Sequence, residues 1–135
     1  MRKMCYNNKS IKIGMLRGFT PMILYNDDKY VANVPSVVAL GCFDGVHIGH
    51  RAVIEKAVKI AKQMDLASAV WTFGEPPKNF FFPESVKLLT DKAEKCRRIS
   101  ELGVDMLFCV DFTGEIAALT PEEFFSEVVI KKIKA

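Results

Sequence analysis

The most constraining feature of this sequence is a short apolar run followed at once by a glycine-rich turn that contains both histidines of the chain. The run occupies residues 37–40, and the turn extends over residues 41–50 to include His47 and His50. Wholly apolar, β-branched runs of this length are typical of strands buried on both faces of a parallel sheet. Because parallel strands are joined by crossover connections, usually helices, the sequence predicts a strand, a tight turn and a helix in succession.

The remainder of the chain repeats this alternation of strand and helix. From residue 51 to about residue 65, apolar residues recur at helical spacing with charged residues between them. Further buried strands are predicted at residues 67–73 and 106–110, further helices at residues 91–102 and 121–130, and a loop with three phenylalanines after the second strand. Thr90 and Thr120 are the expected N-caps, and Pro121 occupies a first helical position. This order, without hairpin signals, predicts the α/β class with a Rossmann-like parallel sheet and crossover helices.

Length and the amino-terminal residues indicate how the chain is divided. At 135 residues, the chain has an ordinary size for one domain. Residues 1–21 contain no acidic residue and end in a Gly-Phe-Thr-Pro break. We therefore expect residues 1–21 to form a poorly specified leader and residues 22–135 to form the domain.

Composition argues against several classes of partner. The net charge of +3 is too small to indicate a polyanionic ligand, and no apolar run approaches the roughly 20 residues of a membrane helix. The four cysteines form no C-x-x-C pair, which favours reduced thiols in a cytoplasmic protein over a disulfide framework or a zinc site. We therefore expect a cytoplasmic protein with no metal held by its own side chains, no nucleic-acid partner and no membrane partner.

One helix offers an alternative to this expectation. Four basic residues lie together in the predicted helix 91–102, and further lysines lie at the C-terminal tail, as in a basic nucleic-acid-binding module: Lys92, Lys95, Arg97 and Arg98 in the helix. A solvated helix face explains the same residues without a ligand. The solvated face is the interpretation we adopt.

The turn after the first predicted strand has the chemistry of a phosphate-binding site. In a parallel sheet of this kind, the ligand crevice lies beyond the carboxyl ends of the strands. Gly41, Gly45 and Gly49 allow the backbone to turn sharply and to approach a phosphate closely, and the amides at a helix start favour an anion. His47 and His50 can donate to phosphate oxygens and stabilise the charge that develops in phosphoryl or nucleotidyl transfer.

Structural explanations of the same residues stay open at this point. One histidine could cap the helix start while the other packs against the protein. Asp44 could cap the turn by accepting backbone N–H bonds or could face a metal-bound nucleotide, and we favour the capping role. Phe43 and Trp71 are expected to be core residues rather than ring-stacking contacts of a ligand, because buried strands normally hold large apolar side chains.

The turn also carries a resemblance to a known family. Residues 41–50, Gly-Cys-Phe-Asp-Gly-Val-His-Ile-Gly-His, resemble the G-x-F-D-G-V-H-x-G-H signature of bacterial FAD synthase, the FMN adenylyltransferase module of bifunctional riboflavin kinase/FAD synthase. More loosely, they are similar to the H-x-G-H motif of the nucleotidyltransferase superfamily. Three later segments resemble the same family in order: residues 72–77, residues 88–92, and residues 102–105 leading to 119–124.

The resemblance implies a reaction and a set of site residues. The reaction is transfer of AMP from ATP to FMN, giving FAD and pyrophosphate, with Mg²⁺ bound through the phosphates of ATP. The catalytic, phosphate-binding histidines would be His47 and His50. The rest of the nucleotide-binding loop would comprise Gly41, Phe43, Asp44, Gly45 and Gly49. The flavin would lie against Phe73, Pro76 and Pro77.

The sequence departs from the family pattern in two residues and in length. Cys42 stands where the family usually has Asn, and Pro76 stands where it usually has the His of a Pro-His-Pro segment. The sequence ends where the family would begin its next strand, so we expect a sheet that is incomplete at the C-terminal side and no riboflavin kinase module. The strand from Val37 to Leu40 would then be an exposed edge, through which we expect self-association.

Two alternatives to an active FMN adenylyltransferase follow from the same residues. The chain could be a non-catalytic, truncated nucleotide-binding remnant that keeps the histidine turn because the fold requires it. It could also be another nucleotidyltransferase of the superfamily, such as a cytidylyltransferase, with a different acceptor.

Overall fold

The described residues form a six-stranded sheet covered by helices. The computed structural model describes residues 3–7, 10–14, 22–26, 31–32, 34–83 and 91–135. Its strands are β1 (Lys3–Asn7), β2 (Ser10–Gly14), β3 (Met22–Tyr25), β4 (Ser36–Leu40), β5 (Ala67–Phe73) and β6 (Met106–Val110). They lie in the order β1-β2-β3-β6-β5-β4. The pairs β1–β2 and β2–β3 are antiparallel, whereas β3, β6, β5 and β4 form a parallel sheet.

The helices of the described residues connect and cover the parallel strands. They are α1 (Ile48–Met64), α2 (Pro77–Phe81), α3 (Lys92–Ser100), α4 (Gly114–Ala117) and α5 (Pro121–Glu123), and α5 continues in the wider turns of a π-helix over Phe124–Lys132. The predicted α/β class with a parallel sheet and crossover helices is confirmed. Within the described ranges, no helix is both long enough and apolar enough to cross a bilayer.

The parallel sheet separates two apolar layers. Side chains alternate along a strand, so Val70 and Leu107 lie in one layer while Trp71 and Phe108 lie in the other. The first layer includes residues of α1 and α3, and the second includes residues of the segment 124–133. All five residues of β6 are buried, as expected for a strand covered on both faces. The apolar runs that predicted β5 and β6 therefore matched their bounds in the structure.

Helix boundaries differ from the predictions where local capping decides them. The N-cap of α3 is Asp91, whose Oδ1 accepts a 2.7 Å hydrogen bond from the Glu94 amide; Thr90 lies outside the described residues. The cap predicted at Thr120 is confirmed, because its side chain and that of Glu123 form a reciprocal capping box. The expected loop with three phenylalanines instead contains α2, which Pro77 opens at its first position.

The amino-terminal segment contributes strands that the sequence analysis did not identify. Part of the expected leader, residues 1–21, forms β1 and β2, and the sheet continues through β3. The polar and apolar residues of 10–13 alternate as in a strand, but four residues are the shortest run for which this period is a signal. The division of the chain at residue 22 stays a prediction.

Strand β4 lies at an edge of the sheet, as the sequence predicts. Among the described residues, only β5 pairs with it. The C-terminal residues contact the beginning of the open side: the Ser36 amide donates to the Lys134 carbonyl at 2.8 Å, and Ser36 Oγ donates to the Ile133 carbonyl at 2.9 Å. Since backbone groups alternate in direction along a strand, the amides of Val38 and Leu40 face the same open side.

Candidate functional site

The candidate site lies beyond the carboxyl ends of β4, β5 and β6. The turn with both histidines follows β4, residues 74–76 follow β5, and residues 111–113 follow β6. These strands are adjacent in the sheet, so the three connections meet along one edge. Ligands of open parallel sheets bind at this edge.

The turn after β4 has an unusual backbone conformation. Phe43, Gly45 and Val46 have φ angles of 49°, 73° and 45°, all in the left-handed region. For the non-glycine residues this conformation costs about 1–3 kcal/mol each. Burial offsets that cost, because Phe43 and Val46 both lie in the core. Gly41 makes room for the packing, since a Cβ there would lie 2.8 Å from Cζ of the Phe43 ring.

His47 is the N-cap of α1. Its Nδ1 accepts hydrogen bonds from the amides of Gly49 at 3.1 Å and His50 at 3.3 Å. An accepting Nδ1 assigns the ring proton to Nε2, and the side chain is exposed. Gly49 permits the close approach, since a Cβ there would lie 3.1 Å from Cε1 of His47. Two amides that the sequence analysis offered to a phosphate are therefore bound to the imidazole of His47.

His50 stacks against His47. The ring centroids are 3.4 Å apart with an interplanar angle of 21°, and the edge of the Phe43 ring packs on His50 at 5.4 Å. Its Nδ1 is buried and has no hydrogen-bond partner among the described residues. Desolvation lowers the pKa of His50, the His47 and Lys95 charges lower it further, and Asp44 opposes them. The structural explanation is therefore confirmed, because one histidine caps and the other packs; the ligand-binding role stays a prediction.

Helix α3 places two cations against this turn. The interpretation of a solvated basic face is wrong for Lys95, which is only 2% exposed. Its Nζ donates to the carbonyls of Cys42 and Phe73, each at 2.8 Å. Arg98 Nη1 donates to the Gly45 carbonyl at 2.8 Å. The signal for Lys95 was its position four residues before the core residue Ile99 on the same helix face.

An exposed ion-pair network along α3 joins Arg97 and Arg98 to Glu94 and Glu101, whereas Lys92 pairs with Asp111 at 3.8 Å. Arg97 donates to the carboxylates of Glu94 and Glu101, and Arg98 Nε donates to Glu94 at 2.8 Å. Hydrogen bonds from Arg97 and Arg98 lower the pKa of Glu94 to about 2. The network holds Arg98 in the position from which it reaches Gly45.

An aromatic cleft lies at the ends of β5 and β6. It has a volume of about 290 Å³ and is lined by Glu75, Pro76, Asn79, Phe80, Asp111 and Phe112. The Phe112 ring lies 5.1 Å from that of Phe73 and 5.3 Å from that of Phe80. Of the predicted flavin residues, Pro76 lines the cleft, Phe73 packs against the lining residue Phe112, and Pro77 begins α2. The other residues that line the cleft were not identified from the sequence, because they come from separate segments that only the fold brings together.

Comparison with known proteins identifies the family. The family profile for FAD synthetase matches residues 30–135. The chain belongs to the FAD synthetase family. The resemblance found in residues 41–50 is thereby confirmed.

In the part of the chain that the structure describes, no cluster of three or more His, Cys, Asp or Glu residues could hold a metal ion.

Relatives of the FAD synthetase family support this assignment along most of the chain. The bifunctional riboflavin kinase/FMN adenylyltransferase of Listeria monocytogenes is 39% identical over 100 residues, covering 73% of this chain and 32% of the relative. The enzyme of the same name from Bacillus subtilis is 39% identical, covering 70% and 31%, and that from Escherichia coli K12 is 35% identical, covering 73% and 32%. The chain spans about a third of the length of these relatives.

A solved structure shares the fold. A crystal structure described as a macrolide-efflux protein from Streptococcus pneumoniae superposes with a TM-score of 0.67 at 34% sequence identity, covering 76% of this chain and 36% of that one. The match again includes about a third of the longer protein. The α/β fold with its parallel sheet is thus shared with a longer solved protein.

The cap role of His47 is testable by stability measurements. His47→Ala removes the acceptor for two amides, and we expect the free energy of unfolding to fall by about 1 kcal/mol. His47→Ser keeps a capping oxygen and should recover most of that loss while still lacking the ring. Urea denaturation of the three proteins gives the comparison. Equal stability of His47→Ala and the wild type would show that the cap contributes nothing.

The lowered pKa of His50 predicts a pH dependence of stability. Because the unfolded chain takes up a proton near the ordinary value of 6.5 and the folded chain does so only at lower pH, the unfolded state binds more protons in this window. Stability therefore falls as the pH drops below about 6.5. Urea denaturation at several pH values should give a shallower fall for His50→Gln than for the wild type. Parallel curves would contradict the prediction.

Proposed function

We propose that this chain is an FMN adenylyltransferase that acts in the cytoplasm, transferring AMP from ATP to FMN to give FAD and pyrophosphate. The observation that carries the proposal is the position of the histidine turn and the aromatic cleft on adjacent strand ends. The histidine turn offers hydrogen-bond donors to the phosphates of ATP, and the aromatic cleft offers flat apolar walls to the ring system of FMN. The printed names of the relatives include this activity, and those names do not favour a cytidylyltransferase.

The ATP phosphates would bind at the histidine turn. His47 presents an Nε2–H from an exposed ring, and His50 stacks behind it. Gly41, Phe43 and Gly49 shape the turn, while Asp44 and Gly45 lie at its tip. The amino-terminal end of α1 adds the favourable field of its dipole for an anion. Mg²⁺ would enter with ATP, bound through the phosphates.

The chemistry proposed is a direct in-line displacement. A phosphate oxygen of FMN attacks the α-phosphorus of ATP, the bond from that phosphorus to the bridging oxygen of the β-phosphate breaks, and pyrophosphate leaves with the electron pair. No side chain forms a covalent intermediate. The donors of His47 and His50 would stabilise the negative charge that develops on the phosphate oxygens.

FMN would bind in the aromatic cleft. The isoalloxazine ring is flat and aromatic, and the Phe80 and Phe112 rings with Pro76 supply apolar contact area. Asn79 and the carboxylates of Glu75 and Asp111 supply polar groups at the same cleft. Apolar walls with a few convergent polar groups are characteristic of small-molecule sites.

The direct test of the function is formation of FAD from Mg-ATP and FMN, followed by chromatography. We expect FAD to form, and His50→Ala to reduce the rate by about 100-fold, as loss of a transition-state donor does. Phe112→Ala should weaken FMN binding and leave Mg-ATP binding unchanged. Phe125→Ala, at a ring 58% exposed and away from the cleft, is the matched control. A chain that binds neither substrate would overturn the proposal.

The open part of β4 is proposed to pair with a second copy of the chain. The C-terminal residues contact the strand at Ser36, which leaves the amides of Val38 and Leu40 for an edge-to-edge pairing. Sedimentation velocity should show dimers that dissociate in Leu40→Lys, because a charge disfavours edge pairing. Val53→Lys, which alters an exposed valine of α1, should leave the dimer intact. A wild-type monomer at all concentrations would exclude this pairing.

A further inference from the structure

A single buried ammonium joins the two halves of the candidate site. Lys95 Nζ donates to the Cys42 carbonyl, in the turn after β4, and to the Phe73 carbonyl, at the end of β5, with both distances 2.8 Å. The single hydroxyl proton of Thr72 is shared between the same two oxygens, which lie 2.9 Å (Cys42) and 3.4 Å (Phe73) from Oγ1. Lys95 and Thr72 are 2% and 0% exposed. The two carbonyls thus share both of their side-chain donors.

These hydrogen bonds are strong determinants of backbone position. A buried charge is tolerated only where hydrogen bonds replace its hydration, and bonds from an ammonium are roughly twice as strong as neutral ones. Cys42 is followed directly by the left-handed residue Phe43, and Phe73 is followed by the residues that lead into the cleft. Displacement of either carbonyl would leave the ammonium partly unsatisfied, so each strand end restrains the other.

Arg98 provides a comparison on the same helix. Its guanidinium donates to Gly45 in the histidine turn, and in the described part of the chain its other hydrogen-bond partner is Glu94 of α3 itself. It has no bond to the end of β5. Of these two cations of α3, Lys95 bonds to both the histidine turn and the end of β5, whereas Arg98 bonds to the histidine turn alone.

We propose that Lys95 is a positioning residue that couples the histidine turn, where ATP would bind, to the aromatic cleft, where FMN would bind. Binding in each half of the site then depends on the same buried ammonium. The proposal rests on the proposed function for the identity of the two ligands. Lys95 touches neither ligand, and it acts through the carbonyls of Cys42 and Phe73. Substrate binding in one half then stabilises the geometry of the other half.

Calorimetric titration with Mg-ATP and with FMN, each alone and in the presence of the other, tests this coupling. We expect Lys95→Met to weaken both ligands by about tenfold or more, equivalent to about 1.4 kcal/mol each. The factor by which FMN changes the affinity for Mg-ATP should fall towards one. Arg98→Met should weaken Mg-ATP alone. Lys59→Met, which removes an exposed lysine of α1, should change neither affinity nor the coupling factor.

Several outcomes would overturn the proposal. A folded Lys95→Met that binds both ligands as the wild type does, or that loses affinity for only one, would contradict it. If Lys95→Met does not fold, Thr72→Val removes the other shared donor at nearly constant shape. We expect smaller but parallel losses of both affinities in that variant. Loss of neither affinity, or of one alone, would reject the coupling.

A ligand-free measurement separates this proposal from the proposed function. A wild-type chain that binds neither ligand would overturn the function. Amide hydrogen exchange of residues 41–46 and 73–75 still tests the coupling through Lys95, because this measurement needs no substrate. We expect exchange in both segments to accelerate together in Lys95→Met or Thr72→Val. Acceleration in one segment or in neither would overturn the coupling whatever the function.

Discussion

The site depends on the burial of Phe43 and Val46 in a turn whose backbone is intrinsically unfavourable. Left-handed φ angles at these two residues would not persist in an isolated loop. They persist because both side chains fill the layer beneath α1 and α3, and because α3 supplies hydrogen bonds to the carbonyls of Cys42 and Gly45. The conformation of the turn is therefore set by the core and by a helix that lies about fifty residues further along the chain.

This backbone determines what the histidines can do. The turn brings His47 to the start of α1 with its Nδ1 towards two amides, which leaves the ring proton on Nε2. The same ring can then donate from Nε2 to a phosphate while its Nδ1 caps the helix. His50 packs behind it in surroundings that lower its pKa. Capping and phosphate donation use opposite nitrogens of the same ring, so they are compatible roles.

Much of the architecture could be predicted because burial on both faces leaves a plain trace in the sequence. The apolar runs of β5 and β6 gave their bounds, and the glycine-histidine turn indicated the family that the profile match confirmed. Lys95 was missed because a lysine among other basic residues of one helix resembles a solvated face, and only the fold shows which carbonyls it reaches. The cleft was missed in part because its walls come from two separate strand ends.

The spacing of a parallel sheet explains why one lysine can serve both halves. Neighbouring strands lie about 4.8 Å apart, and an ammonium with two 2.8 Å hydrogen bonds spans that separation without distorting either strand. β4 and β5 are adjacent, so the Cys42 carbonyl just after β4 and the Phe73 carbonyl at the end of β5 lie within reach of a single Nζ. Had another strand separated them, no single side chain could have bonded to both. The strand order therefore allows one side chain to restrain both strand ends. Lys95 of α3, which packs on one face of the sheet, supplies that restraint.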